Sequence, residues 1–336
     1  MAIRVGINGF GRIGRAFLRI TQGRDDIEIV AINDLGSAED LAYLLKFDSV
    51  YKAFPGDVHV QGQMLVVNGK EIALLSESDP SKLPWGPMNI DVAVESTGAF
   101  TTYDKAHMHI VAGAKRVVIS APSKGEGAET ILMGLNEEKI SSSDVTSNAS
   151  CTTNAASPLI AILDEALGIE RALLNTTHAY TATQAIVDGP DKKHDMRSGR
   201  AAAINMIPSS TGAAIAVTQA YPSLVGKFDG ISIRVPVMAG SIADITFIAG
   251  RDTTTDEVND ILRKAAASSR WQGIFAITDE PVVSSDMIGN LHASIADLSM
   301  TRVIGNLVKV LAWYDNEMGY ANMLVRHVVA SGSNAR

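Results

Sequence analysis

AIRVGINGFGRIGR, residues 2–15, decides the fold. Residues 2–8 are a short apolar run that ends in a glycine cluster. A helical pattern follows from Arg12 to Thr21, with Ala16, Phe17, Leu18 and Ile20 as its apolar groups. A second apolar run, Ile27 to Ile32, ends at Asn33-Asp34. Strand, helix and strand within about 34 residues is the length of a βαβ unit. Inside it Gly9-Phe10-Gly11-Arg12-Ile13-Gly14 matches GxGxxG. Gly9 permits a tight turn, Gly11 lets backbone approach a pyrophosphate, and Gly14 lets helix pack on strand. The helix N-terminus then offers free N–H groups to phosphate. Asp34 stands 20 residues beyond Gly14, at the end of the second strand. That context separates a dinucleotide site from a glycine-rich turn capped by Asp34.

Outward from this unit, β-type runs occur at 91–96 and 116–120, with a helix expected from Lys105 to Ala114. Such alternation predicts an α/β, Rossmann-type, doubly wound parallel sheet. The second half reads differently. Its strand candidates, 172–177, 231–237, 242–248 and 307–314, are long, and fewer helices separate them. One helix opens with a capping box, Thr254 to Glu257. We expect an α+β domain with a large mixed or antiparallel sheet. The boundary falls near Ser150, giving domains 1–150 and 151–315. The segment Gly189 to Gly199 is polar and glycine-containing, an ordered functional loop or a flexible one.

The chain has 336 residues, enough for two domains. Lys plus Arg is 29 and Asp plus Glu is 37, a net charge of −8, which argues against general nucleic-acid affinity. The first residues run straight into a strand pattern, and no long apolar run suggests a membrane span. One cysteine allows no internal disulfide and no thiolate zinc site, so we expect a reduced, cytoplasmic protein without metal.

That cysteine, Cys151, lies in SNASCTTN, residues 147–154, between a strand-like run and an apolar helical stretch, Ala155 to Leu167. Near a helix N-terminus the dipole favours thiolate. An isolated cysteine is more often a small buried hydrophobe, but polar flanks on both sides argue for a nucleophile. Such a nucleophile needs a base. The candidates are His59, His107, His109, His178, His194, His292 and His327, and spacing does not choose among them. His178 has the best setting, closing a strand run and opening the hydroxyl-rich segment 180–183.

INGFGRIGR (7–15), SNASCTTN (147–154), HAYTATQ (178–184), SSTGAA (209–214), RVPV (234–237) and WYDNE (313–317) together resemble the phosphorylating glyceraldehyde-3-phosphate dehydrogenase family over nearly the whole chain. The resemblance implies NAD as cofactor and Cys151 and His178 as nucleophile and base. It implies glyceraldehyde 3-phosphate and inorganic phosphate as substrates, oxidised through a thioester. It assigns cofactor contacts to Gly9, Gly11, Arg12, Ile13, Gly14, Asp34, Ser78, Ser120 and Asn316. It assigns the substrate phosphate to Thr181 and Arg234, and inorganic phosphate to Ser150, Thr152, Thr211 and Gly212. It also implies a homotetramer, with residues 189–199 at an interface, and a last helix, about 316–336, returning to the first domain. The chain departs from the family pattern at Ala155, Ser78, Met318 and Ser198, where other members carry cysteine, arginine, tryptophan and arginine. Competing readings are an erythrose-4-phosphate dehydrogenase and a catalytically silent NAD-binding protein. HAYTATQ disfavours the first, and the presence of Cys151 and His178 disfavours the second.

Overall fold

The structure, a computed structural model, describes residues 2–190 and 195–334. The chain divides into two compact units, Met1–Ala149 with Ala321–Arg336, and Ser150–Tyr320. The first unit runs β1 (Ile3–Asn8), α1 (Arg12–Thr21), β2 (Ile27–Asn33), α2 (Ala38–Lys46), β3 (Val58–Gln61), β4 (Met64–Val67), β5 (Lys70–Leu75), β6 (Val92–Glu95), α3 (Tyr103–Ala106), α4 (Met108–Val111), β7 (Arg116–Ile119), β8 (Glu129–Thr130) and β9 (Val145–Ser147). The second runs α5 (Cys151–Leu167), β10 (Ile169–Ala179), β11 (Ile207–Ser210), α6 (Ala213–Ala220), β12 (Phe228–Val235), β13 (Ser241–Ala249), α7 (Thr255–Ala266), β14 (Phe275–Thr278), β15 (Ser294–Asp297), β16 (Arg302–Ile304) and β17 (Leu307–Tyr314). A last helix, α8 (Met318–Ser333), passes into the first unit from Ala321 onward.

The first sheet has the order β3-β4-β5-β2-β1-β6-β7-β9-β8. From β5 to β8 every pairing is parallel, and β1 lies between β2 and β6. That is the point where strand order reverses, the usual crevice for a ligand in a doubly wound sheet. The apolar runs become strands because both sheet faces are covered: Val5, Ile7, Val92 and Val94 are fully buried. Leu324, Val325 and Val328 of α8 join the same core. The edge β3-β4-β5 is antiparallel and was not anticipated. Its signal was present in Asn68-Gly69, whose φ values of 50 and 78° suit a tight hairpin turn. The helix expected over 105–114 is instead two short helices. Hydrogen bonding restarts at His107, whose N–H reaches Tyr103 O and whose carbonyl accepts from Val111.

The second sheet is mixed, with order β11-β12-β10-β13-β17-β15-β14 and β16 on β17. Helix α5 packs on β10, β13, β15 and β17 and is flanked by α6 and α7. It is buried nearly all round from Ala155 to Leu163, which is why its apolar pattern shows no polar stripe. The opposite sheet face leaves large apolar groups open, with Leu173 at 66% and Ile231 at 54% exposure. Thr254 caps α7 as expected, but the reciprocal half of the box is missing. The Glu257 carboxylate turns to Arg251 and to the Thr253 hydroxyl instead, because a nearby guanidinium outbids a backbone N–H. In the 189–199 segment Gly189 N–H meets Gly199 O, and Arg200 pairs with Asp188 at 3.0 Å. Residues 191–194, His194 among them, lie outside the described residues.

Candidate active site

Cys151 is the first residue of α5. Ser150 caps that helix, its hydroxyl accepting Thr153 N–H at 3.1 Å. The candidate base arrives from the sheet. β10 and β12 are parallel neighbours, and their register sets His178 opposite Arg234. His178 Nε2 lies 3.2 Å from Cys151 Sγ, and the ring is only 3% exposed. His178 Nδ1 lies 2.7 Å from Ala179 O and 2.6 Å from Arg234 Nη1. The carbonyl only accepts and the guanidinium only donates, so the two favour opposite tautomers. With its proton on Nδ1, toward Ala179, the ring turns a lone pair to the thiol and is a base. With Nδ1 accepting from Arg234, Nε2–H is left to donate to an oxyanion.

Burial, with help from the Arg234 charge, pushes His178 down to about 3. Burial pushes the Cys151 thiol up, against the Arg234 charge and the Thr152 hydroxyl. Desolvation of the sulfur is the larger effect, and the helix-terminal N–H groups work against it. Tyr314 closes the pocket: its hydroxyl bridges Thr152 Oγ1 at 2.9 Å and Thr176 Oγ1 at 2.7 Å, and its ring meets His178 edge-on. Burial raises its phenol, so it stays protonated. Tyr314 and Thr176 were not singled out from sequence. The buried alternation Val308, Val310, Ala312, Tyr314 was the signal that the tyrosine points inward.

The remaining expected residues are less closely joined. Asn316 Oδ1 accepts from Gly240 N–H and Ser241 Oγ, and Ser241 Oγ in turn accepts Ala179 N–H. Thr181 bonds Thr183 Oγ1 at 2.9 Å, and Thr211 accepts Ala213 N–H beside Gly212 at the start of α6. Neither hydroxyl is bonded to the Cys151–His178–Arg234 cluster. Ser198 donates to Asp195, and Arg200 is held by Asp188. Among the described residues two other histidines are buried, both in the first unit: His109 between Trp85 and Glu95, and His327 between Thr146 and Asn148.

In the first unit a cleft of about 400 Å³ is lined by Asn8, Gly9, Gly11, Asp34, Ser78 and Thr97, among others. Gly9 has φ +96°, and a Cβ there would fall 2.6 Å from Thr97 N. A side chain on Gly14 would run into Gly9 O, whereas Gly11 faces open space. Helix α1 begins without a side-chain cap or an acid in its first turn, leaving its N-terminus to an anion. Asp34 Oδ2 accepts Phe10 N–H at 2.7 Å and Oδ1 accepts Gly36 N–H at 2.9 Å. Each oxygen retains a lone pair. Arg12 and Ile13, expected at the cofactor, turn their side chains elsewhere: Arg12 to Asp48 at 2.5 Å and over Tyr51, Ile13 into the core. The nearby carboxylate holds the guanidinium. Ser120 sits half-buried just past β7, its N–H on Glu95 O. Among the described residues no group of three or more His, Cys, Asp or Glu is placed to hold a metal, and no helix is long and apolar enough to cross a membrane.

A glycine-lined dinucleotide cleft in one unit and a cysteine–histidine pair in the other define a nicotinamide-dependent oxidoreductase that works through a thiol. Comparison with known proteins narrows this. Residues 3–103 match the family model of the glyceraldehyde 3-phosphate dehydrogenase NAD binding domain, and residues 150–316 that of its C-terminal domain. The glyceraldehyde-3-phosphate dehydrogenase of Mycobacterium avium is 47% identical over 99% of this chain and 100% of its own length. Glyceraldehyde-3-phosphate dehydrogenase 2 of Streptomyces avermitilis is 48% identical over 99% of each chain, and the Zymomonas mobilis enzyme 46% over 97% of each. The chain belongs to the glyceraldehyde 3-phosphate dehydrogenase family, and NAD is its cofactor.

Proposed function

We propose that this chain oxidises glyceraldehyde 3-phosphate, with NAD and inorganic phosphate, to 1,3-bisphosphoglycerate, the phosphorylating step of glycolysis. The observation that carries the reading is the 3.2 Å approach of Cys151 Sγ to His178 Nε2. Residues 1–150 hold NAD and residues 151–315 carry the chemistry. Gly9, Gly11, Gly14 and the start of α1 receive the pyrophosphate; Asp34 and Ser78 lie toward the adenosine, with Ser120 and Asn316 as further contacts. NAD, when bound, supplies the hydride acceptor. Cys151 adds to the aldehyde carbon as its proton passes to His178 Nε2 and from there to the carbonyl oxygen, giving a thiohemiacetal and leaving His178 neutral again. His178 then takes the hydroxyl proton as the carbon is oxidised to the thioester. Phosphate attacks the thioester carbonyl and expels the Cys151 thiolate, a good leaving group. Arg234, Thr181, Ser150, Thr152, Thr211 and Gly212 receive the two phosphates.

The direct test follows NADH formation with glyceraldehyde 3-phosphate, with and without inorganic phosphate. Multiple turnover requires phosphate or arsenate, while a single burst does not. Equal steady rates without either anion would mean a hydrolytic enzyme. NAD is favoured over NADP, because a 2′-phosphate would face the Asp34 carboxylate. At about 4 Å and an effective dielectric near 20 each unit-charge repulsion is roughly 4 kcal/mol before screening. Even a third of that is about tenfold in preference. Asp34→Ala removes this discrimination.

We further read the assembly as a cytoplasmic homotetramer. The support is the open apolar face of the second sheet, where Leu173, Ile231, Ile248 and Leu307 are exposed. Ile231→Lys shifts the sedimentation coefficient to a smaller species; an unchanged coefficient removes this face from the interface.

A further inference from the structure

Behind the first unit's cleft lies a chain of buried polar groups that no step above uses. Its centre is Glu95, the last residue of β6, 1% exposed. Four hydrogen bonds converge on its carboxylate. Oε2 accepts from Asn8 Nδ2 at 2.6 Å and from His109 Nε2 at 3.1 Å. Oε1 accepts from Thr97 N–H at 2.8 Å and from Thr97 Oγ1 at 2.5 Å.

The direction of each bond is forced. Trp85 Nε1–H, which can only donate, points at His109 Nδ1 from 3.0 Å, so the ring hydrogen is on Nε2. Asn33 is oriented by the backbone: its Oδ1 accepts Glu77 N–H and its Nδ2 donates to Glu77 O. That Nδ2 also donates to Asn8 Oδ1 at 2.7 Å, which leaves Asn8 Nδ2 to face Glu95. The Thr97 hydroxyl already accepts Ala99 N–H at 3.1 Å, so its own hydrogen goes to Glu95. Only a carboxylate takes four donors. An amide there would set one N–H against others.

Asn8, Asn33, Glu77 and Thr97 line the cleft, whereas Glu95, His109 and Trp85 do not. The carboxylate therefore ties together segments that form separate parts of the cleft wall. We propose that Glu95, oriented by His109 and Trp85, is the positioning residue of the cofactor cleft, acting on NAD binding through Asn8, Asn33 and Thr97 and not on the chemical step. The proposal rests on the cleft being the NAD site.

NAD binding is measured by titration, and KM for NAD and kcat by steady-state assay. Glu95→Gln raises the Kd and KM for NAD by about tenfold or more, with kcat at saturating NAD within about twofold. Glu95→Asp, which keeps the carboxylate, recovers part of the loss. His109→Leu, directly behind the cleft lining but not part of it, weakens NAD by a few-fold, and His109→Gln, which keeps a donor and an acceptor, restores it. The His109 pair carries the test where Glu95→Gln does not fold. Wild-type affinity in Glu95→Gln, or in His109→Leu, while Asp34→Ala weakens NAD, overturns the proposal and leaves the cleft as the site. So does a fall in kcat with Kd unchanged. Unaltered NAD binding in Asp34→Ala as well removes the cleft from the cofactor, and the proposal falls with it.

Discussion

His178 and His327 are two fully enclosed imidazoles in different units, and burial pushes both down to about 3. Around His327 the matter ends there. Its Nε2 meets Thr146 Oγ1 at 2.9 Å and its Nδ1 meets Asn148 Oδ1 at 3.2 Å, and desolvation is the single cause of its shift. Around His178 one nitrogen faces a thiol and the other is contested by a carbonyl and a guanidinium. A depressed pKa is therefore no mark of a catalytic base. What sets His178 apart is its company: a thiol, which has a proton to give, on one side and the fixed charge of Arg234 on the other.

The contrast is broken most completely at the sulfur. Cys151→Ser should lose several orders of magnitude in turnover, since an alcohol is far less ionised than a thiol, while a fluorescence titration finds NAD binding intact. More than about a tenth of the activity remaining would exclude covalent catalysis. Next come the histidines themselves. His178→Asn should cost about 10²–10⁴-fold in kcat, whereas His327→Gln should leave kcat within a few-fold and lower stability to urea by about 1–3 kcal/mol. Equal kcat losses in the two would erase the distinction.

Acid sharpens what the two share. Each folded-state value, about 3, lies below the ordinary 6.5, so between these limits the unfolded chain binds protons that the folded chain refuses. Stability is full above pH 6.5 and falls as pH drops toward 3, by up to about 1.4 kcal/mol per pH unit for each ring. His327→Gln should remove one proton's share of that slope; an unchanged slope in urea midpoints between pH 6 and 4 would contradict it. The smallest effect is expected at Tyr314→Phe. It removes the bridge between Thr152 and Thr176 and should cost about 1–3 kcal/mol in stability, with kcat changing less than in His178→Asn.

The dinucleotide half was legible because its demands are local. A positive φ at Gly9, no room at Gly14 and a carboxylate at Asp34 all fall within one contiguous βαβ unit. The catalytic cluster was legible only in parts. Cys151 stood out as the sole cysteine among polar neighbours, but His178 and Arg234 meet through strand register across a parallel crossover, which no spacing rule encodes. The resemblance supplied Arg234 without saying that it would touch the base. Tyr314 was hidden in an ordinary alternating strand. At Cys151 the helix terminus is visible in sequence, whereas the burial that opposes it is not.

The first unit's core is finished by Leu324, Val325 and Val328, which follow the whole of the second unit in sequence. On the ribosome, the whole of Ser150–Tyr320 is translated between the two segments of the cofactor half. A chain stalled shortly before α8 could complete its thiol-bearing half while an apolar groove stayed open in the other, exposed to chaperones and proteases. Closure of the cofactor half thus waits on a segment made after the whole of the thiol-bearing half.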